Sequence, residues 1–434
     1  MSSRSGPRPS RSRYVVLALL TLHYANTYMD RMAIAGVAPW LRAELDLDEV
    51  ELGLVFTAFT VGYAAFQLPW GLLADRYGPR RVLTLLVCLW SSMTIGTALA
   101  TRFGSLLLVR LMFGAAEAGA FPAATRSMSR WFPPDERGLV QGVTHAGSRI
   151  GGAITLPLVA LIVGVAGWRA VFLAFGAMGL LWAAVWYAWY RDEPAEHPRA
   201  NAAELQRIGA VHTTSELQPH QPAIALVRVA MRNPNLRWLC LMYGGVVYTA
   251  WIYQSWLPTY LVEARGFGMF AAGFWASIPL WAGAVANTLG GWWSDRRARQ
   301  RGLRAGRRDV ATFALVGTVI CLCAGALIPN PWLALGLLSL AAAGIEATVS
   351  VAWATAMDIG GEASGSVSAL MNTCGSIGGA ASPLVFGLLV ARTGHWALPF
   401  LLAAGLCTLS VFAWQRIDPG SAATPLACPR NCPK

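Results

Sequence analysis

Long apolar runs separated by short polar stretches dominate the chain. They fall at residues 14–36, 51–74, 82–101, 104–127, 138–164 and 168–190, and again at 237–262, 270–293, 309–328, 331–357, 364–390 and 396–415. A helix of about 20 residues crosses a hydrocarbon layer of about 30 Å, so each run predicts one membrane-spanning helix. The pattern predicts an all-α membrane protein of twelve transmembrane helices in two six-helix halves. The first run is long and lacks a small-residue cleavage site, so it reads as a retained helix rather than a leader.

Between the halves the character of the chain changes. The stretch 191–236 is charged and carries prolines at 194, 198, 219 and 222, which predicts a cytoplasmic linker. AELQRI within it predicts a short helix, and IALVRVAMR predicts an amphipathic segment on the membrane surface. The expected organisation is a tail over 1–13, helical bundles over 14–190 and 237–415 on either side of the linker, and a tail over 416–434.

Composition strengthens this picture. Charged residues make up 13% of the 434 positions, hydrophobic residues 55%, and the mean hydropathy is +0.47. Soluble domains carry about 25% charged residues, so lipid is the expected solvent. The net charge of +12 could point to nucleic acid, but its placement points elsewhere. Arginines gather in the N-terminal tail, after span two (Arg76, Arg80, Arg81), after span four (Arg126, Arg130, Arg137), in the linker and after span eight (Arg296 to Arg308). The loop after span one is acidic instead, with Glu44, Asp46, Asp48 and Glu49. Basic loops face the cytoplasm, so both termini are expected there, with anionic lipid heads rather than nucleic acid as the partner. Asp358 and Glu362 at the end of span ten break the rule, with no base nearby in sequence. Of eight cysteines, six lie in or beside spans and two form the tail motif CPRNC; no disulfide or metal framework is expected.

The halves share an echo. Gly71-Leu-Leu-Ala-Asp75-Arg76 closes span two, and Gly291-Trp-Trp-Ser-Asp295-Arg296 closes span eight, 220 positions later. In each copy the glycine shares a helix face with the aspartate and lets a neighbouring helix approach. The aspartate can accept hydrogen bonds from a helix N-terminus or pair with arginine. Such contacts could hold the cytoplasmic side shut, which makes Gly71, Asp75, Arg76, Arg80, Gly291, Asp295 and Arg296 candidate gating residues. GLLADRYGPRR resembles the signature loop of the major facilitator superfamily, and the resemblance extends over the whole chain.

Charges inside the spans are the candidate chemistry. A charge at mid-bilayer costs about 2.5–3.5 kcal/mol on insertion scales, so an intramembrane acid or base is a functional candidate. Span one holds Asp30 and Arg31 in HYANTYMDRMAIAG; span four holds Arg110 and Glu117, two turns apart on one face. Neighbours on a helix point about 100° apart, so Asp30 and Arg31 are expected to find partners on different helices. Opposite chain directions bring the four to similar depth. Two accounts stay open. The charges form a structural ion-pair network, or the acids load protons while the arginines bind an anion.

YMDR in span one, R-x6-E-A-x2-FP followed by WFP-x-x-ERG in and after span four, and WLPTYL in span seven resemble the anion:cation symporter family, whose members carry small organic anions, many with protons. The resemblance implies proton coupling at Asp30 and Glu117 and basic site residues at Arg31 and Arg110. It also implies a cavity-lining stretch at Asn372 and Ser376 in span eleven. Tyr28, Ser148 and Arg149 complete the substrate-binding candidates. His145 and Arg149, one turn apart in span five, depart from the family's pattern; facing the cavity, they would favour a small, strongly acidic or doubly charged anion such as a sulfonated carboxylate. Glu346 in span ten is a further buried acid without an assigned partner.

No metalloprotease, phosphate-loop or nucleophile–base motif is present, so no enzyme activity, cofactor or metal is expected. The expected function is uptake of a sugar acid, carboxylate or sulfonate by proton symport with alternating access. The expected setting is a monomer in the bacterial inner membrane; the alternative is an anion exchanger or efflux antiporter.

Overall fold

The computed structural model describes residues 9–47, 49–209, 233–267 and 275–420. The segment IALVRVAMR and the tail motif CPRNC lie outside them, as does the start of the span expected at 270–293. The described residues are almost wholly helical. The first half holds α1 (Ser12–Leu45), α2 (Glu49–Tyr77), α3 (Pro79–Ala98), α4 (Phe103–Glu117), α5 (Ala120–Trp131), α6 (Arg137–Ala166) and α7 (Trp168–Trp189). The linker contributes α8 (Ala202–Ile208). The second half holds α9 (Pro234–Ser255), α10 (Leu257–Glu263), α11 (Ile278–Arg301), α12 (Leu303–Leu327), α13 (Pro331–Gly360), α14 (Ser364–Thr393) and α15 (Ala397–Gln415). Eight stretches of the described residues are long and apolar enough to cross a membrane, the one over Pro331–Thr393 containing both α13 and α14.

Two spans differ from a single rod. Span four breaks after Glu117 and resumes at Ala120. Pro122 has no N–H to offer the Ala118 carbonyl, which removes one bond of the helical ladder. The Trp70 indole donates to the Ala115 carbonyl at 2.8 Å beside the break. Span seven breaks likewise at Trp256, just before Pro258.

The described residues form two compact units, one within 9–133 and 147–209, the other within 134–146 and 233–420. In the first unit, Ala33, Ile34, Val37, Leu106, Val171 and Phe172 build an apolar core toward the far end of α1. Glu44 closes that end, accepting from the Trp168 indole at 2.6 Å and pairing with Arg169. At the near end, the linker straps under α1. Glu204 of α8 is fully buried and accepts the backbone N–H groups of Ser12 (3.3 Å) and Arg13 (3.1 Å) and the Ser10 hydroxyl. A carboxylate there satisfies orphan amides and complements the helix dipole.

Candidate functional site

Of the intramembrane charges of the first unit, Asp30, Arg110 and Glu117 are buried and Arg31 is nearly so. Arg31 Nε lies 2.9 Å from Glu117 Oε2, and Glu117 is fully buried at the last residue of α4. Four rings surround the Arg31 guanidinium: Tyr63 at 4.6 Å, and Tyr28, Phe59 and Phe121 at 5.4 Å each. Rings over a desolvated guanidinium attract it through their quadrupoles and fix its plane. Asp30 points elsewhere: Asn26 Nδ2 donates to its Oδ2 at 3.2 Å, and Trp90 and Thr94 of α3 neighbour its carboxylate. The adjacent acid and base thus look to different helices.

Arg110 is 3% exposed and rests on the rings of Phe113 (4.6 Å) and Phe59 (5.5 Å). Among the described residues it makes no hydrogen bond or ion pair, although Glu117 and Asp30 both act on it through space. Tyr28 links this cluster to α6, where Arg149 Nη1 donates to its hydroxyl at 2.7 Å. Ser148 beside it is fully buried. His145 belongs to the second unit, its ring 5.5 Å from that of Trp353. Asn372 and Ser376 are half-buried on α14 in the second unit, and the Ser376 hydroxyl donates to the Asn372 carbonyl at 2.9 Å.

The repeated G-x-x-x-D-R segments sit at the ends of α2 and α11. In the second copy, Asp295 accepts the backbone N–H of Gly138 (2.9 Å) and Leu139 (2.7 Å) in the first turn of α6. Gly291 makes that approach sterically feasible, because a Cβ there would stand 2.0 Å from the Gly138 carbonyl oxygen. Arg307, 1% exposed, joins Asp295 (2.7 Å) to Asp358 (2.9 Å), and Arg137 reaches Asp358 at 3.0 Å. Asp358, lacking a base nearby in sequence, therefore has two in space. In the first copy, Gly71 is buried and Asp75 pairs with Arg126 at 3.5 Å. Arg76 and Arg296 are exposed and lie over aromatic rings of their own helices, Tyr77 and Trp292. Arg80 clamps the end of α7 by donating to the Tyr187 carbonyl, and its backbone N–H donates to Asp192 at 2.9 Å.

Beyond the spans, burial pushes the Asp192 and Glu193 carboxyls up from the usual range and lowers His197. His197 packs against Trp189 and Trp131, and its Nδ1 accepts the Arg199 N–H at 3.2 Å, which requires the neutral ring.

The Major Facilitator Superfamily profile matches residues 20–383. The chain belongs to the major facilitator superfamily. It is 38% identical over 410 residues to a protein of Cupriavidus necator named a probable sulfoacetate transporter, covering 94% of each chain. It is 28% identical to the hexuronate transporter of Bacillus subtilis, covering 93% of this chain and 94% of that one. In fold it is similar to the Escherichia coli fucose:proton symporter, with a TM-score of 0.75 at 16% identity, over 94% of this chain and 100% of the other. The superfamily fold has twelve spanning helices in two halves, and the family and these relatives are transporters rather than enzymes.

Within this superfamily chain, several residues carried no signal in the sequence. The ring cage of Phe59, Tyr63 and Phe121 comes from α2 and α5, whose aromatics look like ordinary packing. Arg307 was one of seven arginines in a basic run, distinguished only by burial. Glu346 receives a hydrogen bond from Asn287 Nδ2 at 2.9 Å, a partner 59 positions away in sequence. Among the described residues, no group of three or more His, Cys, Asp or Glu side chains is placed to hold a metal.

Proposed function

We propose that the chain imports a small dianionic organic acid together with protons, by alternating access, as a monomer in the bacterial inner membrane with both termini cytoplasmic. The observation that carries this reading is the buried quartet of Asp30, Arg31, Arg110 and Glu117 in one unit. With both acids ionised the quartet is neutral, and Glu117 occupies Arg31. A proton on Glu117 weakens that pair and frees the Arg31 fork for an anion; a proton on Asp30 removes a further negative charge acting on Arg110. Loading both protons leaves two positive charges, which one dianion neutralises. A site that stays near neutral avoids the large cost of an uncompensated buried charge, which couples proton and anion occupancy.

The relatives support the substrate class. Sulfoacetate carries a sulfonate and a carboxylate, and Arg149, held on the Tyr28 hydroxyl, is proposed as a further substrate contact. Planar forks suit both headgroups. Asn372 and Ser376 are proposed to contribute polar contacts from the second half, with Tyr28 and Ser148 from the first. The two G-x-x-x-D-R segments, with Arg80, are proposed to gate.

The test is uptake into proteoliposomes under an imposed pH gradient, with the dianion sulfoacetate as substrate and the monoanion glucuronate as the comparison. The expected result is accumulation driven by an acidic exterior, with external alkalinisation, and its loss in Asp30→Asn and Glu117→Gln. Counterflow that ignores the pH gradient would identify an exchanger instead. Unchanged proton-driven uptake in both acid variants overturns the proposal.

A further inference from the structure

Spans seven and eleven meet along glycine. A Cβ on Gly378 of α14 would stand 2.4 Å from the Gly244 carbonyl oxygen of α9, and one on Gly375 would stand 2.7 Å from the Tyr243 ring. A Cβ on Gly244 would in turn lie 3.7 Å from the Cys374 carbonyl oxygen. The two backbones are therefore in contact, as small residues allow inside a membrane.

About one helical turn before Gly244 comes Cys240, and about one turn before Gly378 comes Cys374. The two side chains hydrogen-bond to each other across the crossing. Both are free thiols; Cys240 is buried and Cys374 is partly exposed. A disulfide requires Cα atoms about 4.4–6.8 Å apart, and helices in backbone contact supply that separation. Cys407, by contrast, is fully buried and meets the Thr249 hydroxyl at 3.3 Å. Cys321 and Cys323, two positions apart on α12, do not face each other.

Cys374 also stands among residues with a proposed role. Asn372 and Ser376 flank it on α14, and the Ser376 hydroxyl donates to the Asn372 carbonyl at 2.9 Å. A new covalent bond at Cys374 bears directly on this stretch.

We propose that Cys240 and Cys374 are a redox pair, closed by an alkyl hydroperoxide into a disulfide that staples α9 to α14 and arrests transport. The partly exposed Cys374 attacks first, as its thiolate. Its sulfur takes the terminal peroxide oxygen, the O–O bond breaks, and the alkoxide leaves as an alcohol with the proton that the thiol lost. The Cys240 thiol then attacks the sulfenic sulfur; the S–S bond forms, and the hydroxyl departs as water with the Cys240 proton. Two thiols are oxidised by two electrons, and the hydroperoxide is reduced to one alcohol and one water. A dithiol reductant reopens the pair by exchange. The arrest of transport rests on the import reading above; the cross-link does not.

The test treats the full-length protein in proteoliposomes with tert-butyl hydroperoxide, followed by thiol alkylation, digestion and peptide mass spectrometry. The expected product is a peptide joining Cys240 to Cys374, lost on dithiothreitol treatment and absent from Cys240→Ser and Cys374→Ser. Counterflow of sulfoacetate should fall at least about fivefold on oxidation of the parent and return on reduction. In either serine variant, oxidation should leave it within about twofold of the untreated rate. Oxidation should also raise the unfolding temperature of the parent alone, since the cross-link constrains the unfolded chain. Absence of the joined peptide, a cross-link from either cysteine to a different one, or unchanged counterflow in a cross-linked parent overturns the inference. Sulfoacetate counterflow missing from the reduced parent counts against the proposed substrate instead, and the mapped peptide and the unfolding temperature still decide the pair.

Discussion

Arg31 Nε stands 2.9 Å from Glu117 Oε2 at the residue where α4 breaks. Removing one partner of a buried pair leaves an uncompensated charge and costs about 3–5 kcal/mol, whereas replacing both with apolar groups of similar size is often neutral. Glu117→Leu and Arg31→Met should each lower the unfolding temperature in detergent, and the double variant should recover most of the loss. All three should fail to accumulate sulfoacetate. A double variant no more stable than either single one would mean the two residues do not act as a pair.

Arg307 holds two aspartates through different atoms: Nε to Asp358, Nη1 to Asp295, with Nη2 on the Pro134 carbonyl at 2.9 Å. A lysine has one compact ammonium and cannot span all three. Arg307→Lys should therefore behave almost like Arg307→Met, each costing on the order of 3–5 kcal/mol in thermal or denaturant unfolding. Near-parental stability of the lysine variant would show that charge alone suffices.

At Gly291 one methyl group is the whole perturbation. Its Cβ would lie 2.0 Å from the Gly138 carbonyl oxygen, whereas a Cβ at Gly336 of α13 meets nothing within 4 Å. Gly291→Ala should cost about 1–3 kcal/mol through overpacking and slow transport, while Gly336→Ala should be neutral or stabilising by up to about 1 kcal/mol. Equal melting temperatures for the two variants would contradict the close approach of α11 and α6.

Glu44 supplies a pH signature. Hydrogen bonds from Trp168 and Arg169 hold its carboxyl below the usual range. A folded value beneath the unfolded one stabilises above the ordinary carboxylate range, and the contribution disappears as pH falls through the lowered value. The gap in unfolding temperature between the parent and Glu44→Gln should be widest near neutrality and close on acidification below about pH 4. A gap that does not change with pH would assign the contact no ionic part.

Most spans were legible because lipid imposes one rule on them: long, apolar and helical. Their charged exceptions were legible for the same reason, since an arginine in such a run stands out. What a linear pattern does not carry is direction around each helix. Asp30 and Arg31 are adjacent in sequence, yet one faces Asn26 and α3 and the other Glu117. The break after Glu117 was partly readable from Pro122, but the helix it interrupts still scans as one run. Asp358 seemed unpaired because its arginines arrive from α6 and α12.

Glu204 completes the start of α1 from 191 positions downstream of Arg13. A ribosome must therefore finish the entire first half before the opening helix receives its acceptor, so during synthesis that end remains provisional. Fusions attached just upstream of Ser10 load directly onto this late-made joint, whereas additions at the opposite terminus leave it alone.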